Sequence, residues 1–256
     1  MDTLFSLLTP QAFAVAFMVA LLAGFIKGMV GFAMPMILIS GLSSIIDPQL
    51  ALAGLILPTV LTNGWQSLRQ GPAAAWESVK RFRIFLLVGL VAILISAQMV
   101  RLLSPQAMLL LIGVPVSIFV VIQLMGLRLR LPESGQGLIE AGIGGFAGLI
   151  GGMSGVWGPP TVLYLTALET PKTEQLRIQG VIYGLGAVAL LGAHIGSGVL
   201  RSDTAVFSAA LLIPALAGMW IGFKVHDRID QTAFRRVTLI VLFVAALNLV
   251  RRGILV

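Results

Sequence analysis

Long apolar segments recur along almost the whole chain, and they limit its fold more than any other feature. Runs of roughly 15 to 20 apolar residues follow one another between Ala12 and Val250. A helix of about 20 residues crosses a hydrocarbon core of about 30 Å, so each run is long enough to span a membrane. Only 11% of the residues are charged, which excludes a large aqueous domain. We therefore predict an all-α polytopic membrane protein.

A sequence repeat divides the chain into two related halves. Residues 23–36 read AGFIKGMVGFAMPM and residues 147–160 read AGLIGGMSGVWGPP, and seven of these fourteen positions are identical without a gap. The offset is 124 residues, close to half of the 256-residue chain. We predict a first transmembrane repeat over residues 1–127, a cytoplasmic linker over residues 128–137 and a second transmembrane repeat over residues 138–256.

Each repeat begins with an apolar stretch that is too long for one helix. Residues 12–46 would form a helix of about 52 Å, well beyond the thickness of a bilayer. Glycines and prolines interrupt the stretch, and both residue types break helices. We therefore predict in each half a broken-helix hairpin followed by three transmembrane helices. The predicted breaks lie at Gly28, Gly31 and Pro35 in the first half, and at Gly151, Gly152, Gly155, Gly158, Pro159 and Pro160 in the second.

The positive charges predict the orientation of these segments. With two hairpins, twelve of the seventeen Lys and Arg residues lie on one side and four on the other, whereas single crossings would divide them nine to seven. Positive residues favour the cytoplasmic side, so both termini are expected in the periplasm. Five segments per half is an odd number, so the second repeat is predicted to be inverted. The remaining spans are predicted at residues 50–68, 84–101, 107–126, 175–197, 204–223 and 233–250, and the cytoplasmic loops at 69–83, 128–137, 169–177 and 224–236.

The two helix breaks form the predicted substrate site. Transporters built from inverted repeats bind substrate near the midplane at interrupted helices, and free N–H groups at helix ends attract anions. Lys27 adds a positive charge at the first break, although a lysine that snorkels from the hairpin tip is an alternative. Ser154 and Trp157 offer a hydroxyl and an indole N–H at the second break, unless Trp157 is an interfacial anchor. The glycines alternatively serve only close helix packing.

Two polar pairs lie on the spans that follow the hairpins. Asn63 and Gln66 are three residues apart, and Gln179 and Tyr183 are four apart, so each pair shares a helical face. They either face the cavity or form ordinary interhelical hydrogen bonds. No carboxylate is predicted near the midplane, which favours an anionic substrate. The predicted substrate-binding residues are Lys27, Gly28, Gly31, Asn63, Gln66, Gly152, Ser154, Gly155, Trp157, Gln179 and Tyr183.

A serine and a histidine raise the alternative of an intramembrane serine peptidase. Residues 152–155 fit the pattern G-x-S-G, and His194 follows Ser154 by forty residues, similar to the motifs of rhomboid proteases. One full span separates the two side chains, however, and the duplication explains the glycine pattern without a nucleophile. We therefore predict no catalytic residue and a hydrogen-bonding or coupling role for His194. The chain contains no Cys, which excludes thiolate metal sites, and neither a metal nor a cofactor is expected.

The two breaks resemble the paired glycine signatures of the sulfite exporter TauE/SafE family, also called the toluene-sulfonate uptake permeases. The resemblance rests on AGFIKGMVGFAMP in the first half and GGFAGLIGGMSGVWGPP in the second, and it covers essentially the whole chain. It implies a permease of the bacterial inner membrane for sulfur-containing anions such as sulfite, sulfoacetate or other organosulfonates. A facilitator of other small organic anions, such as carboxylates, is the alternative. The expected partners are a small anionic substrate and membrane lipid, with a homodimer left open and no nucleic acid.

Overall fold

The computed structural model describes residues 8–42, 44–98, 105–125, 136–154, 158–196 and 199–255. These described residues form eleven helices, and no strand occurs among them, so the all-α prediction is confirmed. The helices are α1 (Pro10–Val30), α2 (Met34–Leu42), α3 (Pro48–Leu68), α4 (Pro72–Arg81), α5 (Arg83–Gln98), α6 (Pro105–Leu124), α7 (Gln136–Ser154), α8 (Gly158–Ala167), α9 (Lys172–Gly196), α10 (Ser202–Arg228) and α11 (Gln231–Leu255).

The first apolar stretch is broken where the glycine pattern predicts. Three residues separate α1 from α2. Gly31 has a φ of 88° and donates its N–H to the Lys27 carbonyl at 2.6 Å, and Ala33 has a φ of 73°. The helix α2 folds back along α1. The two helices are so close that a Cβ added to Gly41 would lie 2.6 Å from a Val19 methyl group. The stretch is therefore two helices joined by a tight turn.

The prolines of both predicted breaks lie at the start of the second helix. Pro35 is the second residue of α2, and Pro159 and Pro160 are the second and third residues of α8. Proline is tolerated in the first turn of a helix, because the N–H it lacks has no partner there. The predicted break between α7 and α8 falls on residues 155–157, which lie outside the described residues.

The helix bounds repeat at the same offset as the sequence. The ends of α1 and α7, the starts of α2 and α8, and the starts of α3 and α9 are each 124 residues apart. The repeat therefore extends from the glycine motif to the spacing of the helices around it.

The six predicted spans appear as helices over their described residues, but three of the predicted loops are largely helical as well. The helix α9 begins at Lys172 within the predicted loop 169–177, and α10 and α11 cover all but two residues of the predicted loop 224–236. The loop at residues 69–83 contains α4, whose Ala75 and Ser78 are buried while Trp76 and Lys80 are exposed. Its sequence, PAAAWESVKR, combines a proline at the first helical position with three strong helix formers. A search for spans overlooks this segment because it is too short and too polar to cross a membrane.

Several of the described helices suit a membrane. By length and composition α1, α10 and α11 are each able to cross one, and shorter apolar helical segments cover Arg83–Ser96 and Gln136–Ile150. The ends of α10 and α11 extend past the predicted spans to Arg228 and Leu255. Long basic side chains allow a helix to continue into the interface in this way.

The chain divides into two compact units, and each takes helices from both sequence halves. One unit comprises Met1–Pro72 and Leu176–Asp230, and we call it unit 1. The other comprises Ala73–Gln175 and Gln231–Val256, and we call it unit 2. Within unit 1, α1 packs on α10 and α2 packs on α3, whereas within unit 2, α5 packs on α7 and α6 packs on α11.

Small residues bring α1 and α10 together in unit 1. A Cβ added to Gly24 would lie 2.0 Å from the Ala215 carbonyl oxygen, and one added to Gly28 would lie 2.2 Å from that of Met219. Neither position has room for a side chain. Gly28 thus lies in the close helix contact that the packing alternative describes.

Candidate substrate-binding site

Lys27 extends into the interior of unit 1 from the last turn of α1. The residue is only 1% exposed, and its ammonium donates a hydrogen bond to Asn63 Oδ1 on α3. The ammonium also lies 6.0 Å from the centre of the Tyr183 ring on α9, at the outer limit of a cation–π contact. A snorkelling lysine would have an exposed ammonium, so the structure favours the alternative in which Lys27 points inward.

The described surroundings of the Lys27 ammonium contain no counter-charge. Among the described residues, no carboxylate lies within ion-pair distance of Lys27. A buried charge without an opposite charge is costly, and such a residue inside a membrane protein marks a functional site by default. The surroundings of Lys27 are therefore suited to an anion.

Gln66 and Gln179 hold the end of α1 in place. Gln66 Nε2 donates to the Gly31 carbonyl at 3.0 Å and to the Leu176 carbonyl at 2.7 Å. The Gln179 amide, oriented with its nitrogen toward α1, donates to the carbonyls of Val30 at 3.1 Å and Gly31 at 3.2 Å. The last carbonyls of a helix have no partner within it, and the two glutamines supply one here. Both therefore form interhelical hydrogen bonds that support the turn.

One face of α3 presents polar atoms without a partner. Asn63 Nδ2, Gln66 Oε1 and Thr59 Oγ1 are buried and make no hydrogen bond to any described residue. Thr59 and Gln66 lie about one turn to either side of Asn63, so the three share a face. Buried polar atoms are nearly always paired, and unpaired ones call for a ligand or water. The sequence interpretation missed Thr59, although its spacing of four from Asn63 was a usable signal.

Other basic residues of unit 1 have protein partners or lie at its surface. Arg69 forms an ion pair with Asp227 at 2.5 Å and stacks on the Phe223 ring at 4.2 Å. Arg177 donates a hydrogen bond to Gln70. Among the described residues, Lys27 is the one Lys or Arg that is buried. It supplies the unpaired positive charge in the interior of this unit.

A buried histidine lies near the same end of α1. His226 on α10 is 1% exposed, and its Nδ1 lies 3.2 Å from the Met29 carbonyl oxygen. The sequence interpretation did not single out this residue. Its position in a charged segment near the end of a predicted span concealed its burial.

The structure brings six of the predicted site residues together in unit 1. They are Lys27, Gly31, Asn63, Gln66, Gln179 and Tyr183. Gly28 lies on the same helix as Lys27, but it packs against α10. The remaining predicted site residues stay predictions. Gly152 and Ser154 on α7 and His194 on α9 have helical backbone but side chains outside the described part, and Gly155 and Trp157 lie outside the described residues.

A comparison with protein families matches nearly the whole chain. The model of the family described as sulfite exporter TauE/SafE matches residues 16–249. No curated protein and no solved structure matches. The family match spans both halves and both glycine motifs, and with the apolar helices it indicates a multi-pass membrane protein. The chain belongs to the sulfite exporter TauE/SafE family of membrane transporters.

Proposed function

We propose that this chain is a secondary transporter for small sulfur-containing anions such as sulfite, sulfoacetate or other organosulfonates. The observation that carries the proposal is the buried Lys27 ammonium, which has Asn63 as its hydrogen-bond partner and no described carboxylate within ion-pair distance. An anion would complete this charge pair. The family match supports both transport and a sulfur oxyanion as cargo.

In this proposal the anion binds between Lys27 and the polar face of α3. It accepts hydrogen bonds from the ammonium, from Asn63 Nδ2 and from the Thr59 hydroxyl, both of which are unpartnered among the described residues. Hydrogen bonds to a charged group contribute about 1.5 to 3 kcal/mol each. Gln66 and Gln179 support the turn that places Lys27, and they need not contact the anion.

The cellular setting is part of the same proposal. We assign the chain to the bacterial inner membrane with both termini in the periplasm, because a hairpin topology places twelve of its basic residues on one side and four on the other. The equal helix spacing of the two halves supports a duplicated fold, which this topology makes an inverted repeat. The motif around Gly152, Ser154, Gly155 and Trp157 is proposed as the anion-binding element of the second half.

Substitution of Lys27 tests this function directly. Lys27→Met removes the charge and is expected to weaken anion binding by about ten- to hundred-fold. Lys27→Arg is expected to restore binding only in part, because a planar guanidinium does not fit the space of a compact ammonium. Lys80→Met is the matched control, since Lys80 is exposed on α4. Uptake into proteoliposomes of labelled sulfite, sulfoacetate and a small carboxylate gives the affinity of each variant.

Two results would contradict the proposal. Unchanged affinity in Lys27→Met at normal expression would show that the anion binds elsewhere. Saturable uptake of the carboxylate alone would exclude the sulfur anions and favour the carboxylate alternative.

A further inference from the structure

Unit 1 offers one unpaired positive charge to a bound anion. Among the described residues, Lys27 is the one buried Lys or Arg. The side chain of Arg69 is 22% exposed and is already neutralised by Asp227. Among the described Lys and Arg residues, the interior of this unit therefore has one positive charge available to balance a bound anion.

The described groups around the ammonium do not compensate a second negative charge. Asn63 and Thr59 offer a neutral amide and a neutral hydroxyl, which contribute hydrogen bonds but no net charge. The Tyr183 ring lies beneath the ammonium. The face of an aromatic ring carries negative potential, so it repels an anion. A ligand with two negative charges would therefore leave one charge buried and unpaired, which is strongly unfavourable.

We propose that this site selects anions that carry a single negative charge. Among the proposed substrates it takes bisulfite in preference to the sulfite dianion and monovalent sulfonates in preference to divalent anions, so that sulfoacetate binds more weakly than a monovalent sulfonate. The inference rests on the proposed function, because it assigns the charge of the substrate of that same site.

Two sulfonates of matched structure test the selection on the unmodified protein. Ethanesulfonate carries one charge, and 1,2-ethanedisulfonate carries two on the same two-carbon chain. Uptake of each is measured in proteoliposomes with the membrane potential held at zero, so that the potential does not act on the two charges differently. The monovalent anion is expected to bind at least about ten-fold more tightly, equivalent to about 1.4 kcal/mol. Butanesulfonate, which is longer but monovalent, is expected to bind like ethanesulfonate and so separates charge from size.

Sulfite provides the same comparison in one molecule. Raising the pH converts its monoanion to the dianion, whereas ethanesulfonate keeps one charge throughout. The pH profile of ethanesulfonate uptake serves as the reference, because the charge of this anion does not change with pH and any pH dependence of its uptake arises elsewhere. The ratio of the sulfite uptake rate to the ethanesulfonate uptake rate at the same pH is expected to fall as the pH rises, in proportion to the fraction of sulfite that remains monoanionic.

Each outcome separates the inference from the function on which it rests. Saturable uptake of both sulfonates with equal or higher affinity for the disulfonate would overturn single-charge selection and leave the transport function standing. Exclusion of butanesulfonate together with the disulfonate would assign the selection to size and overturn the inference. Saturable uptake of none of the sulfur anions would overturn the transport function and the inference with it.

Discussion

The turn after α1 provides a test of the geometry that places Lys27. Gly31 has a φ of 88°, a left-handed conformation that costs a residue with a Cβ about 1 to 2 kcal/mol. A Cβ there would lie 1.7 Å from the terminal amide of Gln179 and 2.9 Å from Leu176 Cδ1. In Gly31→Ala the Gln179 amide must move and lose its hydrogen bonds to the carbonyls of Val30 and residue 31, at about 1 kcal/mol each. We expect a total loss of about 3 to 4 kcal/mol of stability.

Gly71 provides a matched control for the backbone strain. Its φ is 90°, and a Cβ added there has no atom within 4 Å. Gly71→Ala is expected to cost only the strain, about 1 to 2 kcal/mol. In a protein of this size 1 kcal/mol changes the Tm by about 2 to 4 °C. Gly31→Ala should therefore lower the Tm by about 4 to 8 °C more than Gly71→Ala does.

Thermal unfolding of the purified protein, followed by tryptophan fluorescence, measures this difference. Gln179→Ala removes the amide that the new Cβ meets, so the double variant Gly31→Ala/Gln179→Ala should be more stable than the sum of the single losses predicts. An equal decrease of Tm in Gly31→Ala and Gly71→Ala would refute the contact between Gln179 and the turn. So would strict additivity in the double variant.

Three further predictions concern the site, the helix contact and the topology. Asn63→Leu leaves the Lys27 ammonium without its hydrogen-bond acceptor. It should reduce the free energy of unfolding by about 1.5 to 3 kcal/mol and the anion affinity by about ten-fold or more. A normal Tm and normal uptake would contradict the contact. Gly218→Ala should destabilise the protein, because its Cβ would lie 2.0 Å from a carbonyl oxygen of α1. Gly192→Ala, whose Cβ would have no atom within 4 Å, should be neutral or stabilising in the same unfolding assay. Ser134→Cys, in the predicted cytoplasmic linker, should react with an impermeant thiol reagent only after permeabilisation, since the chain has no Cys of its own; labelling in intact cells would disprove that topology.

The broken helix could be predicted because its cause is local. A left-handed backbone favours glycine, and a proline suits the first turn of the next helix, so Gly31 and Pro35 mark the two sides of the turn without reference to the rest of the fold. The short helix α4 was missed for the opposite reason. Its burial of Ala75 and Ser78 depends on tertiary contacts, and its polarity hides it from a search for apolar spans.

The site could be predicted only to the level of helix faces. Spacing placed Asn63 with Gln66 and Gln179 with Tyr183, and both pairs lie around the end of α1 as expected for a shared region. Spacing does not tell which member of each pair turns toward Lys27 and which toward the free carbonyls of the turn. That choice depends on the rotation of α3 and α9 against α1, which only packing determines.

The two sequence halves share a glycine at the helix contact, but they do not share the charge of Lys27. Gly24 in unit 1 and its repeat equivalent Gly148 in unit 2 both lie where two helices touch, since an added Cβ would lie 2.0 Å and 2.3 Å from a facing carbonyl oxygen. The packing of α1 on α10 thus has a counterpart in that of α7 on α5. The position of Lys27 does not follow this rule, because its equivalent is Gly151. One half builds the end of its first helix without a charge there, so the repeated fold does not require the lysine, as expected if Lys27 binds the proposed anion.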